Sequence, residues 1–144
     1  MKYYNIKTYS SKFKLKKENQ LAWKIAEIAN ECFMPFSYGG GIQTLDDVKR
    51  LFDLGVEKIV LNTSAFENPD FITEISNIYG SQSVVIAIDV KKPLLGKQKV
   101  YVKCGTQKTK ITPVAYAKQV ENFGAGEILI NSIDNDGLSE IPRL

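Results

Sequence analysis

The 144-residue chain contains no histidine and only two cysteines. The first absence removes the commonest general base, the nucleophilic triads that depend on imidazole, and most zinc sites. Acid–base chemistry must then fall to carboxylates, lysine or tyrosine. Cys32 and Cys104 are far apart and fit no metal-ligand spacing, so reduced thiols and no metal are expected. Long apolar runs are missing and no secretory leader is legible, which predicts a soluble, cytoplasmic protein with no membrane partner. A strong excess of one charge is also lacking, the net charge being +3. Lys12, Lys14, Lys16 and Lys17 crowd near the start, without the series of interleaved aromatics that would stack bases. That run reads as a solvated segment, and nucleic acid is excluded as a partner.

What is present is rhythm. With 44% hydrophobic residues the chain can bury the core of a single domain. Three short apolar runs end abruptly at small or polar residues: Tyr38-Gly39-Gly40-Gly41, Leu61-Asn62-Thr63-Ser64 and Ile86-Ala87-Ile88-Asp89. Their end points Gly39, Asn62 and Asp89 lie 23 and 27 residues apart, about one strand–helix unit. Parallel strands place all their carboxyl ends on one face, so these residues are expected to converge.

The helices between them carry their own punctuation. Thr44 can cap a helix that buries Val48, Leu51 and Phe52, with Asp46 and Asp47 at its positive end and Gly55 stopping it. Asn68-Pro69 reads as a cap with proline at the first helical position, ahead of Phe71, Ile72, Ile75 and Ile78 as the buried face. Thr112-Pro113 repeats that start, with Val114, Ala117 and Val120 facing inward. Residues 83–88 are almost wholly apolar, as in a strand covered on both faces. Residues 92–110 break the rhythm and read as an inserted β-hairpin with turns near Gly96 and Gly105. The last strand runs from Glu127 to Asn131, and 138–144 form a divergent tail.

Three consecutive glycines let a backbone approach a ligand and aim N–H groups at it, a common way to hold phosphate. A tight turn needing positive φ explains them equally well. Asn62 and Thr63 could add donors or simply cap the strand end, and Asp136-Gly137 could be a plain turn. Asp89 closes a buried apolar strand, which suits a general acid or base. The alternative is a structural aspartate that accepts N–H groups from the next turn. Lys58 and Glu127 begin their strands and belong to the opposite rim.

Taken in order, Gly39-Gly40-Gly41-Ile42, Asn62-Thr63-Ser64-Ala65, Gly80-Ser81-Gln82, Ala87-Ile88-Asp89, Gly124-Ala125-Gly126-Glu127 and Ser132-Ile133-Asp134-Asn135-Asp136-Gly137 resemble the cyclase subunit family of imidazole glycerol phosphate synthase. The resemblance runs from about Asn5 to Gly137. It implies an α/β fold, a partial (βα)8 barrel holding roughly strands 2 to 6, in one incomplete domain over 1–144. It implies an enzyme of histidine biosynthesis that needs no cofactor. Ammonia from a glutaminase partner, in a heterodimer, is added to a phosphorylated ribonucleotide to close an imidazole ring and release a carboxamide nucleotide. Asp89 then matches one of two catalytic aspartates. Gly41, Asn62 and Thr63 match the first phosphate site, and Asp136 and Gly137 part of the second. Lys58 and Glu127 match two of four charged residues that gate ammonia. Against the family pattern, Asn5 stands where an Asp is usual, Asn135 for an Arg and Leu138 for a Thr. Nothing corresponds to the first strand, so the chain is expected to be inactive alone. Glu31-Cys32-Phe33-Met34-Pro35 and Asn131-Ser132 also resemble a sister branch that delivers ammonia for surface-sugar amidination. A non-catalytic gene remnant is the third reading.

Overall fold

A computed structural model describes residues 24–25, 27–28, 36–91 and 97–135. Asn5, the Gly96 turn, Asp136, Gly137 and the tail at 138–144 lie outside the described residues. Within them, β1 (Ser37–Gly39), α1 (Leu45–Asp53), β2 (Lys58–Leu61), α2 (Thr63–Glu67), α3 (Asp70–Tyr79), β3 (Val84–Lys91), β4 (Lys99–Val102), β5 (Gln107–Lys108), α4 (Pro113–Asn122) and β6 (Glu127–Ser132) follow in order. Short 3₁₀ turns at Ser81–Ser83 and Ile133–Asn135 precede β3 and follow β6. No helix among the described residues is long and apolar enough to cross a membrane.

The sheet has two parts joined through β3. β1, β2, β3 and β6 are parallel, with β3 between β2 and β6. β4 and β5 are antiparallel additions. A strand has only two edges. β6 takes one edge of β3 from Val85 to Val90, so β2 and β4 must share the other. β2 covers Val84 to Ile86 and β4 covers Asp89 to Lys91. Running antiparallel, β4 therefore heads straight at the carboxyl end of β2. This collision sets the position of the turn at Lys103, Cys104 and Gly105.

β3 has two unlike faces. Val84, Ile86, Ile88 and Val90 are buried in one continuous apolar cluster with Ile59, Leu61, Ile72, Ile75 and Val120. The period of two in a strand sends Val85, Ala87 and Asp89 to the opposite face, where Ala87 and Asp89 are only half-buried. A strand covered on both sides was expected; among the described residues the covering of the second face is partial.

Helix punctuation acts much as its chemistry dictates. Thr44 Oγ1 accepts from the Asp47 N–H at 3.2 Å while Asp47 Oδ2 accepts from the Thr44 N–H at 3.0 Å, a reciprocal capping box. Thr112 Oγ1 accepts from Ala115 N at 3.4 Å. Asn68 differs from expectation: Pro69 is the N-cap of α3 and no side chain caps it. Asn68 is instead the C-cap of α2, its N–H donating to the Ser64 carbonyl. Two apolar expectations also fail. Ile78 is 60% exposed because the seam of α3 runs through Ile72, Ile75 and Tyr79, the last stacked on Phe52 at 4.3 Å. Val114 is 68% exposed because α4 packs through Tyr116 and Val120, one helical turn apart, and Val114 lies off that line.

β6 forms an edge among the described residues. Ile128 and Ile130, on the helix-facing side, border an open groove of about 370 Å³ with Val114 and Ala117 of α4. At its start, Gly126 lies against the turn before β3. Its N–H donates to the Val84 carbonyl at 3.2 Å, and a Cβ there would overlap the Ser81 carbonyl. Thus the two motifs Gly80-Ser81-Gln82 and Gly124-Ala125-Gly126 meet at the amino ends of β3 and β6, where their work is packing.

Gly126→Ala is expected to destabilise the chain by roughly 1–3 kcal/mol in urea unfolding, since backbone must yield to admit the methyl group. Tyr116 is buried and its hydroxyl has no hydrogen-bond partner among the described residues. Burial pushes that phenol up from 10.0 to about 12. Folded protein then holds its proton more tightly than unfolded chain, so stability present below pH 10 is lost as pH rises toward 12. Tyr116→Phe should equal or exceed the parent in stability at pH 7. It should also abolish a relative loss of roughly 2–3 kcal/mol between pH 10 and 12.

Candidate functional site

At the carboxyl ends of β2, β3 and β6 three polar side chains meet. Asn62 follows β2 immediately, Asp89 lies near the end of β3, and Asn131 is the penultimate residue of β6. In the parallel register Asn131 stands opposite Asp89. Asn131 Nδ2 donates to Asp89 Oδ1 at 3.1 Å, and Asn62 Nδ2 donates to Asp89 Oδ2 at 3.1 Å. Asn62 Nδ2 also donates to the Ala87 carbonyl at 3.1 Å. The carboxylate of the central strand is thus gripped from both neighbouring strands. Sequence reading placed Asp89 and Asn62 at one level; it did not include Asn131 among the site residues. The usable signal was its position at a third strand tip.

Thr63 extends the arrangement outward. Its hydroxyl donates to Asn62 Oδ1 at 3.3 Å and accepts the Lys103 N–H at 2.9 Å. Lys103 Nζ pairs with Glu67 Oε1 at 3.2 Å, on α2. The hairpin turn is therefore attached to both ends of α2, by its main chain at Thr63 and by its side chain at Glu67.

The glycine tip after β1 is more open. Gly40 and Gly41 have φ of 116° and 72°, a left-handed backbone that only glycine adopts without strain. Gly41 is exposed, and a side chain there would meet open space. The two readings of this tip, a tight turn and a place for a ligand to approach, are compatible with this geometry. Asp134 is exposed in the turn after β6. Asp136 and Gly137 lie outside the described residues.

Lys58 and Glu127 start β2 and β6 and come together as an ion pair across 69 positions of sequence. Strand alternation puts Lys58, Val60 and Asn62 on the same side of β2, and Glu127, Leu129 and Asn131 on the same side of β6. One sheet face accordingly carries an ion pair at its amino end and a gripped carboxylate at its carboxyl end, with Val60, Val85, Ala87 and Leu129 between. The apolar groove beside α4 opens from the other face and plays no part in this arrangement.

Residues 13–142 match the protein family described as Histidine biosynthesis protein. A relative from Leptospira interrogans is 50% identical over 117 residues, covering 81% of the chain and 46% of the relative. The imidazole glycerol phosphate synthase subunit HisF of Dictyoglomus thermophilum is 47% identical over 113 residues, 78% of the chain and 45% of its own length. The protein of that name in Leptospira biflexa is 42% identical over 125 residues, 86% of the chain and 49% of its own length. The chain spans about half the length of the curated relatives it matches.

The Lys58–Glu127 pair is partly open to solvent, with side-chain exposures of 27% and 48%. Screening limits what such a pair adds to folding. Glu127→Gln is expected to change unfolding free energy by less than about 1 kcal/mol, read from urea titrations of both proteins.

Proposed function

The chain belongs to the histidine biosynthesis protein family, and on that premise we propose that it serves as part of the cyclase subunit of imidazole glycerol phosphate synthase. The family fold is a (βα)8 barrel, and the four parallel strands here are a contiguous part of its wall. In the proposed reaction, ammonia from a glutaminase partner adds to a phosphorylated ribonucleotide. The imidazole ring of imidazole glycerol phosphate closes and a carboxamide ribonucleotide leaves. A cytoplasmic location is proposed with it.

The observation that carries the reading is Asp89, held by two carboxamides at the carboxyl end of the central strand. Adding ammonia to a carbon centre and closing a ring both require protons to be taken from nitrogen and given to departing groups. A fixed carboxylate at the open end of the sheet can do both in turn. Gly41 offers a main-chain N–H at the same end, as do Asn62 and Thr63 at their tip. Together they are proposed to receive one substrate phosphate. Asp136 and Gly137 are proposed for the second phosphate. Lys58 and Glu127 stand at the other end of the same face, in the place of a polar gate through which ammonia enters. Ammonia is a small neutral nucleophile, and the apolar stretch between gate and carboxylate keeps it unprotonated in transit.

The test uses a full barrel in which this sequence replaces the matching half of the Dictyoglomus thermophilum relative. Ammonia-dependent ring closure should fall by roughly 10²–10⁴-fold on Asp89→Asn, the usual worth of a general acid–base group. Unchanged turnover with ammonia would remove Asp89 from the mechanism.

A further inference from the structure

Asn62 and Thr63 have no side-chain donor left for a phosphate. The two N–H groups of the Asn62 carboxamide are taken by Ala87 O and Asp89 Oδ2, and its oxygen accepts the Thr63 hydroxyl. The Thr63 hydroxyl has a single proton, which it gives to Asn62. Its oxygen accepts from the Lys103 N–H. These groups form a chain leading from the hairpin turn to the carboxylate, and Asn131 completes the grip from the opposite strand.

The turn at the far end of that chain is held in an uncommon conformation. Lys103 and Cys104 have φ of 53° and 56°, a left-handed backbone that side-chain-bearing residues adopt only under strain. Several contacts hold it there. The Lys103 carbonyl accepts from Thr106 N at 3.2 Å and from Thr106 Oγ1 at 2.6 Å. Glu67 pairs with the Lys103 ammonium, and Ile133 packs against Gly105, where an added Cβ would lie 2.7 Å from Ile133 Cδ1. The turn thus touches elements on both sides of β3. Its conformation aims the Lys103 N–H at Thr63, as the head-on approach of β4 to β2 requires.

We propose that Asn62 and Asn131 are positioning residues that clamp the Asp89 carboxylate, and that the Lys103 turn locks the clamp through Thr63. This rests on the acid–base reading of Asp89. Each carboxylate oxygen spends one lone pair on a carboxamide and keeps the other for substrate, so the plane of the group is set before substrate arrives. The phosphate role at Asn62 and Thr63 then falls to their main-chain N–H groups alone.

The side-chain amide protons of Asn62 and Asn131 report the clamp directly in the ¹⁵N-labelled 144-residue chain. Asp89→Asn is expected to move both pairs of resonances upfield as the charged acceptor is lost. Thr63→Val is expected to move Asn62 but not Asn131, and to speed amide exchange at Lys103 by roughly tenfold, the loss of one net hydrogen bond. Asn131→Ser, the mildest variant, should shift the Asn62 amide while leaving the backbone spectrum in place. In the full barrel it should lower kcat about tenfold with KM nearly constant, as for a group that orients a catalyst. Asn62 and Asn131 amides indifferent to Asp89→Asn would overturn the clamp, even if turnover were abolished and the acid–base reading kept. Amides that move while turnover stays unchanged would instead sink the acid–base reading and with it the positioning role.

Discussion

The site depends on one constraint: β3 has parallel strands on both edges, and a third strand shares one of those edges. Because β6 runs parallel along the whole of one side, Asn131 arrives opposite Asp89. Because β2 stops at Leu61, the space beyond it is free for β4, and Asn62 can turn its carboxamide toward Asp89. Had β2 continued along β3 as far as Lys91, β4 would have had no edge to occupy. The carboxylate's two partners and the hairpin's position are consequences of strand lengths.

The same constraint separates stability from chemistry. The helix-facing residues Val84, Ile86, Ile88 and Val90 each contribute burial of the order of 1.5–3 kcal/mol to folding. They hold β3 rigidly. The alternate residues carry the polar groups and add little to that core. Gly126 against Ser81 lets β6 approach β3 closely at the amino end, which in turn brings Asn131 within 3.1 Å of Asp89 five residues later. Packing at one rim therefore governs hydrogen-bond geometry at the other.

Much of this was legible in the chain. Strand tips recur at unit length because each strand–helix unit must cross the sheet and return, and the Thr44 and Thr112 caps follow from unpaired N–H groups that any helix start presents. The helix seams were less legible. Ile78 and Val114 have the right hydrophobicity and nearly the right spacing, yet Tyr116 is the buried residue of α4 and Tyr79, partly buried, packs against the core in place of Ile78. A period of 3.6 leaves adjacent residues competing for one seam, and size decides only when the facing surface is known. Asn68 was misread because α2, a five-residue helix, is too short to leave a periodic signal.

By itself the sequence determined most of the strand–helix order, the Thr44 and Thr112 caps and the presence of Asp89 at a strand tip, since these rest on local propensity and spacing, while its motifs carried the family resemblance. Only the tertiary structure decided what Asp89 touches. Asn131 is 42 residues away and Lys103 is 40 residues from Thr63, and such pairings depend on register and on which edge each strand takes. Local chemistry carries no record of register. It becomes fixed when the buried face of β3 packs, and that event also brings the two carboxamides to Asp89.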